Sequence, residues 1–122
     1  MSKGGHRGID IGDLRHRLEL IGVGRIDDGF GGFTRADAVQ GVVWAAIRPA
    51  KVSEIDAAGR LEMQISHVIT IRFRPDLLPA QGMRVRWQDA AGRTREGYVE
   101  TAADPDERGR FIQMWVREGG AT

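Results

Sequence analysis

The 122-residue chain contains no cysteine, which excludes a disulfide scaffold and a thiolate metal site and fits a reducing compartment. It has no run of about 18 apolar residues, and its MSKGGHRG opening has no apolar signal-peptide core. No membrane partner is expected, and synthesis in the cytoplasm is. A charge excess of either sign is missing too. The 18 basic residues face 17 acidic ones, for a net charge of +1. That field is too weak to hold nucleic acid or an anionic membrane by charge alone, although local patches remain open. Lysine is nearly absent, with only Lys3 and Lys51, a bias that suits planar ion pairing at interfaces or reflects a GC-rich genome. Glycine is plentiful at 17 residues, about twice the usual ~7 per cent, so much of the chain is turn or loop.

The length fits one domain over residues 1–122, with residues 1–8 and 119–122 as flexible tails, large enough for a core that needs no metal or disulfide. The longest run of period two is LEMQISHVITIRF, Leu61 to Phe73. Leu61, Met63, Ile65, His67, Ile69, Ile71 and Phe73 share one side of it, as on a half-buried strand. As a strand it would run roughly 40 Å, against a typical 17 to 20 Å, so part of it is expected to project toward a partner. Arg74-Pro75-Asp76 ends it, because proline cannot donate to a ladder.

Upstream, Leu14, His16, Leu18 and Leu20 alternate with Arg15, Arg17 and Glu19 in a first strand, after a possible helical turn at 9–14. Arg25 to Val42 carries four glycines and reads as a long loop or the tip of a mobile hairpin. Val42 to Pro49 forms a second strand on which Trp44 needs cover. Residues 50–60 can be helical, with Ser53 as N-cap and Gly59-Arg60 at the C-terminus, but so short a helix needs a surface to fold against. Strands at 83–87, 94–101 and 110–117 follow with hairpin spacing, and the end from Glu118 onward reads as a frayed tail. Six strands and at most one short helix or loop insertion, with long flexible loops, predict an all-β fold, a small antiparallel barrel.

Chemistry is sparse. His6, His16 and His67 are scattered, with no metal-ligand spacing around them. His16 and His67 lie on apolar faces, close enough to meet across paired strands, and read as structural histidines fixed by packing. The GFGG at Gly29 to Gly32 lacks the lysine and Ser or Thr of a phosphate loop, and Asp27-Asp28 lacks calcium-loop spacing. No nucleophile, base and orienter stand together, so no enzyme, catalytic residue, cofactor or metal is expected. Arg84, Arg86, Arg93 and Arg95 with Trp87 and Tyr98 form a basic, aromatic hairpin. It is either a small-barrel platform for single-stranded nucleic acid or a solvated hairpin paired with Glu96 and Glu100.

The order of the motifs says more. IGDLRHRLEL, DDGFGGFTRADAV, VWAAIRP, EIDAAGRLEMQISHVITIRFRPDL, GMRVRW and ADPDERGRFIQMWVRE together resemble the phage head-tail joining family, the head-tail adaptor or head-closure stopper proteins, over Ile11 to Glu118. Arg15-His16-Arg17-Leu18 matches the family's opening block, and His67, Ile69, Thr70, Ile71, Arg72, Phe73 and Arg74 before Pro75 match its most specific run. Gly82-Met83-Arg84-Val85 and Asp104-Pro105-Asp106 match a strand and a late turn. Glu54-Ile55-Asp56-Ala57 and Tyr98-Val99-Glu100 stand where the family tends to carry an aromatic segment and a Tyr-x-Ile core.

The resemblance implies a structural protein of the virion neck in a phage or gene transfer agent. Such a subunit forms a homo-oligomeric ring, commonly twelve-fold, that joins the filled head to the tail and closes the DNA channel. Its partners would be a portal or adaptor protein above, a tail terminator or tail tube protein below, and packaged double-stranded DNA held without sequence specificity. A tail terminator or tail-completion ring is the neighbouring alternative. The segment between the second strand and the long strand, Val52, Ser53, Glu54, Ile55, Asp56, Ala57, Ala58, Gly59 and Arg60, becomes the candidate channel plug. Asp27, Asp28, Gly29, Phe30, Gly31, Gly32 and Phe33 become the candidate interface loop, and His16, His67, Arg72, Phe73 and Pro75 the structural set.

Overall fold

The computed structural model describes residues 14–27, 33–105 and 107–119. Its elements, in chain order, are β1 (His16–Asp27), β2 (Phe33–Pro49), α1 (Val52–Arg60), β3 (His67–Arg72), β4 (Arg84–Gln88), β5 (Thr94–Ala103) and β6 (Phe111–Glu118). Every strand pairing is antiparallel, and the order β1-β2-β3-β6-β5-β4 returns to β1 as a closed barrel. The all-β barrel with one short helix expected from the periodicity is the fold observed.

Alternation places the core. Leu18, Leu20, Ala45, Ile69, Ile71, Val85, Val99, Met114 and Val116 point inward and are almost wholly buried, while Arg17, Glu19, Arg86 and Trp115 alternate with them on the outside. Each fully buried aliphatic side chain of this kind stabilises the fold by roughly 1.5 to 3 kcal/mol. Closing six short strands demands strong curvature, and two bulges supply it. One falls on β2 at Gln40, between the partners of Leu20 and Ile21, and the other on β5 at Glu100. Gly97 is fixed by close approach: a Cβ there would lie 2.6 Å from Val116 Cγ1 and 2.8 Å from the Arg117 carbonyl oxygen. Leu77, from the loop after β3, covers one barrel end by lying over Gly41.

Three expectations change. The strand read from Leu61 to Phe73 is only β3, six residues long. The backbone N–H groups of Leu61 and Met63 donate to the Ala58 carbonyl, and that of Glu62 to Gly59, at φ 60° for Glu62, so these residues finish the helix. The long strand is instead β2, whose 17 residues begin at Phe33 inside the stretch read as a long loop or the tip of a hairpin, and pairing of β1 with β2 out to Asp27 and Phe33 makes it a hairpin. Glu118, read as frayed tail, is the last residue of β6 and lies opposite Gly97. The helical turn expected at 9–14 and the tip glycines at 29–32 fall, apart from Leu14, outside the described residues.

Candidate functional site

Two excursions leave the barrel at opposite ends of β2. The first is a hairpin. β4 pairs with β1 only over Leu18–Ile21, and β3 pairs with β2 only over Ala45–Pro49, whereas β1 and β2 stay paired out to Asp27 and Phe33. Among the described residues, Gly22–Asp27 and Phe33–Trp44 therefore each carry one backbone edge with no strand beside it. Six residues of strand beyond Ile21 reach about 20 Å. Such an edge is a row of unspent N–H and C=O groups that another strand can satisfy. At its base Val39, Val42 and Trp44 are exposed, Trp44 at 57%. Of the candidate interface loop, Asp27 ends β1 and Phe33 begins β2, and residues 28–32 lie outside the described residues.

The second excursion is 50–66, and its two ends are pinned together by the Ala50 N–H donating to the Ser66 carbonyl at 2.9 Å. It contains α1, whose N-cap is Lys51 rather than Ser53. Glu54 sets that end: its carboxylate accepts the Lys51 backbone N–H at 2.8 Å and a bidentate pair from Arg48 Nη1 and Nη2, each at 2.8 Å. The Arg48 hydrogen bonds hold the Glu54 carboxyl down at about 2, against the opposing effect of burial. Arg48 stands opposite Val68 on the neighbouring strand, so its ion pair with Glu54 ties the start of the helix to the barrel wall. Beyond it, Leu61 and Met63 form a groove of about 290 Å³ with Thr101, Gln113 and Trp115 on β5 and β6. Ala58 is buried, while Val52, Ile55 and Leu61 are exposed at 75%, 44% and 66%. The candidate plug residues are thus one anchored helix with an apolar outer face.

The structural set divides. His67 is half-buried at the barrel mouth, with its ring edge-on to Trp87 at 5.5 Å between centroids and Nδ1 3.0 Å from Ser66 Oγ. Burial lowers its pKa, Glu118 at 3.9 Å pulls it back up, and Arg95 pushes it further down. His16 is different: it is exposed at the start of β1, opposite Ala45, while His67 stands opposite Pro49, so the two do not meet and His16 is not fixed by packing. The inward parity was right, but a first-strand residue at a barrel mouth has no layer above it. Phe73 packs on the core, and Arg72 and Pro75 are exposed.

A polar layer closes the mouth beside His67, and the residue pattern offers little sign of it. Arg95 binds Glu118 in a fork, through Nε to Oε2 and through Nη2 to Oε1 at 2.6 Å, and also reaches Asp89 at 3.4 Å. The Glu118 backbone N–H donates to Ser66 Oγ at 2.7 Å. Arg95 holds the Glu118 carboxyl below the usual range. The rest of the basic hairpin is also occupied by carboxylates: Arg84 by Glu96 at 3.4 Å, Arg86 by Glu19 at 2.5 Å, and Arg93 by Asp89 at 3.3 Å. Glu100 bonds Arg117 instead. A solvated, self-paired hairpin describes this wall better than a nucleic-acid platform.

The described residues thus form a closed barrel with two excursions, and no group of them could hold a metal ion. The family model of the phage head completion protein matches residues 9–119. The chain belongs to the phage head completion protein family. Its role is accordingly a structural one in completing a phage head, as a virion component associated with other head and tail proteins. No curated protein matches the chain. Among solved structures, the solution structure of protein SF1141 from Shigella flexneri 2a is similar at a TM-score of 0.72 and 20% identity, covering 93% of this chain and 100% of that one. At that identity the likeness speaks for the shared barrel fold. Within the described residues no helix is long and apolar enough to cross a membrane.

Proposed function

We propose that this head completion protein is a ring-forming subunit of the neck, which joins the DNA-filled head to the tail and holds the channel shut until the tail arrives. The observation that carries the reading is the hairpin. A barrel that is already closed has no internal use for a two-stranded ribbon about 20 Å long with both outer edges unpaired. Those edges suit strand addition by a neighbouring copy in the ring, with portal or adaptor above and tail protein below. The near-neutral net charge suits a subunit that lines a DNA channel without gripping sequence.

Within that reading the 50–66 excursion is the plug. It is tethered at its base by hydrogen bonds at Ala50 and Ser66 and by the Arg48–Glu54 ion pair, and it turns Val52, Ile55 and Leu61 outward, where copies around an axis can bury them against each other. A closure made of such weakly held contacts reverses with modest binding energy when the tail docks. Replacing residues 50–60 by a shorter Gly-Ser linker should leave the barrel folded while filled heads leak DNA before tails attach. Heads that retain their DNA as well as unmodified ones would move the closure away from this excursion and toward the hairpin.

A further inference from the structure

Seven guanidinium groups of this barrel are neutralised; of the described arginines with no carboxylate partner, Arg60 and Arg72 stand elsewhere on the surface, and two others are neighbours. Arg48, Arg74, Arg84, Arg86, Arg93, Arg95 and Arg117 each face a carboxylate. Arg15 and Arg17, by contrast, have no carboxylate partner among the described residues, and both are exposed on the outer face where β1 begins. Arg17 stands directly opposite Trp44, and its guanidinium lies over the indole at 5.7 Å from the ring centroid. A cleft of about 630 Å³, reaching to Gln88 and Thr94 on the neighbouring strands, opens beside Arg15 and Arg17. Its two acidic members are already used, Glu19 by Arg86 and Asp89 by Arg93 and Arg95. Among the described residues, the charge left uncompensated on this patch is therefore that of its two arginines.

We infer that Arg15 and Arg17, with Trp44 as the platform under Arg17, contact the phosphate backbone of double-stranded DNA; the inference rests on the neck reading above. Two features favour phosphate. The guanidinium fork matches paired anionic oxygens, and the indole holds it in place, so little rotamer freedom is lost on contact. Residues i and i+2 of a strand stand about 6.7 Å apart, while each DNA strand presents a phosphate about every 3.4 Å of axis, so both arginines meet backbone charge at once. No base-reading group accompanies them, so the contact is independent of sequence. One copy binds weakly; copies around a channel add their contacts through effective concentration.

The test is amide and arginine side-chain NMR of the full chain with a mixed-sequence DNA duplex at about 20 mM salt, where such contacts are strongest. Shifts should centre on Arg15–Leu18 and the Trp44 indole N–H. In Arg15→Gln/Arg17→Gln the shifts should disappear and the slope of log affinity against log salt should fall by roughly 1.8. Arg93→Gln, which alters a paired guanidinium, should change neither. The absence of shifts, shifts centred on Arg84–Arg95, or an acidic peptide binding at the same residues as tightly as the duplex would each overturn the assignment, the last by making the patch a protein-docking site. Particle assembly separates this inference from the one it rests on. Tailed particles that contain the chain while its duplex shifts are missing refute the DNA contact alone. Absence of the chain from particle necks refutes the neck reading.

Discussion

The barrel wall and the β1–β2 hairpin are made from the same two strands, yet they obey different rules. From His16 to Ile21, β1 has β2 alongside and β4 pairing from Leu18 onward, and its inward residues Leu18 and Leu20 are completely buried. A few residues further along, the ribbon has a partner on one side only, and Val39 and Val42 stand exposed. The first half is specified by burial, which penalises a one-residue slip by turning the whole apolar set outward. The second half has backbone edges that no strand of the described residues satisfies, which leaves them open to a strand from outside the subunit. A stable closed unit carrying one under-satisfied extension is the division of labour an assembly component needs.

The largest effect that probes this contrast comes from the core. Ile69→Ala removes a fully buried side chain from β3, held between β2 and β6, and should cost about 2 to 5 kcal/mol. Val39→Ala on the hairpin, a position 48% exposed, should stay within about 0.5 kcal/mol. Chemical denaturation of both variants measures the difference directly, and comparable losses at the two positions would erase the distinction.

Next in size is removal of the ribbon itself. Gly22 and Ala38 are direct partners, so an Asn-Gly turn between them should replace residues 23–37 with a tight hairpin. The shortened chain should keep its stability within about 1 kcal/mol, since closing a shorter loop offsets the lost ladder. It should also fail to join heads to tails. A loss of several kcal/mol would show instead that the ribbon belongs to the cooperative barrel.

The same contrast explains what could be read from residues alone. Where one face is buried, period two was a reliable guide: Leu18 and Leu20, Ile69 and Ile71, and Ile112, Met114 and Val116 all point inward as their alternation required. The pattern misled at Leu61, Met63 and Ile65, which share the parity of β3 but belong to the helix end and the return from it. Nothing in a hydrophobicity pattern distinguishes apolar residues that cover a wall from those inside it. Arg25 to Val42 reads as a long loop or the tip of a mobile hairpin, and the hairpin is what the structure has; its strand lengths were not legible because no sustained period of two runs through it. The mouth network was missed because Glu118 looked like tail. The available signal was its place in the Ile112, Met114, Val116 series, one more step along the inward face.

The smallest expected effect tests that mouth, and it turns on sign. Burial against Trp87 disfavours the His67 imidazolium, whereas Glu118 at 3.9 Å favours it; burial is the stronger influence and the pKa is lowered. With the native value below the unfolded one of about 6.5, the unfolded chain takes up the proton first as pH falls. His67 therefore contributes nothing to the pH dependence well above pH about 7, and destabilises progressively from there until the native ring itself is protonated. Carboxylates act in a separate window. Glu54, held at about 2, contributes stability that is complete above its unfolded value of about 4.3 and is lost as pH falls from there toward 2, with Asp89 and Glu118 shifted in the same direction. Urea midpoints measured between pH about 7.5 and 5.5 thus isolate His67: the unmodified protein should weaken slightly toward pH 5.5, and His67→Asn should remove that slope. If the unmodified protein instead gains stability as the pH drops, the pairing with Glu118 outweighs burial, and the mouth is a charged clasp that tightens in acid.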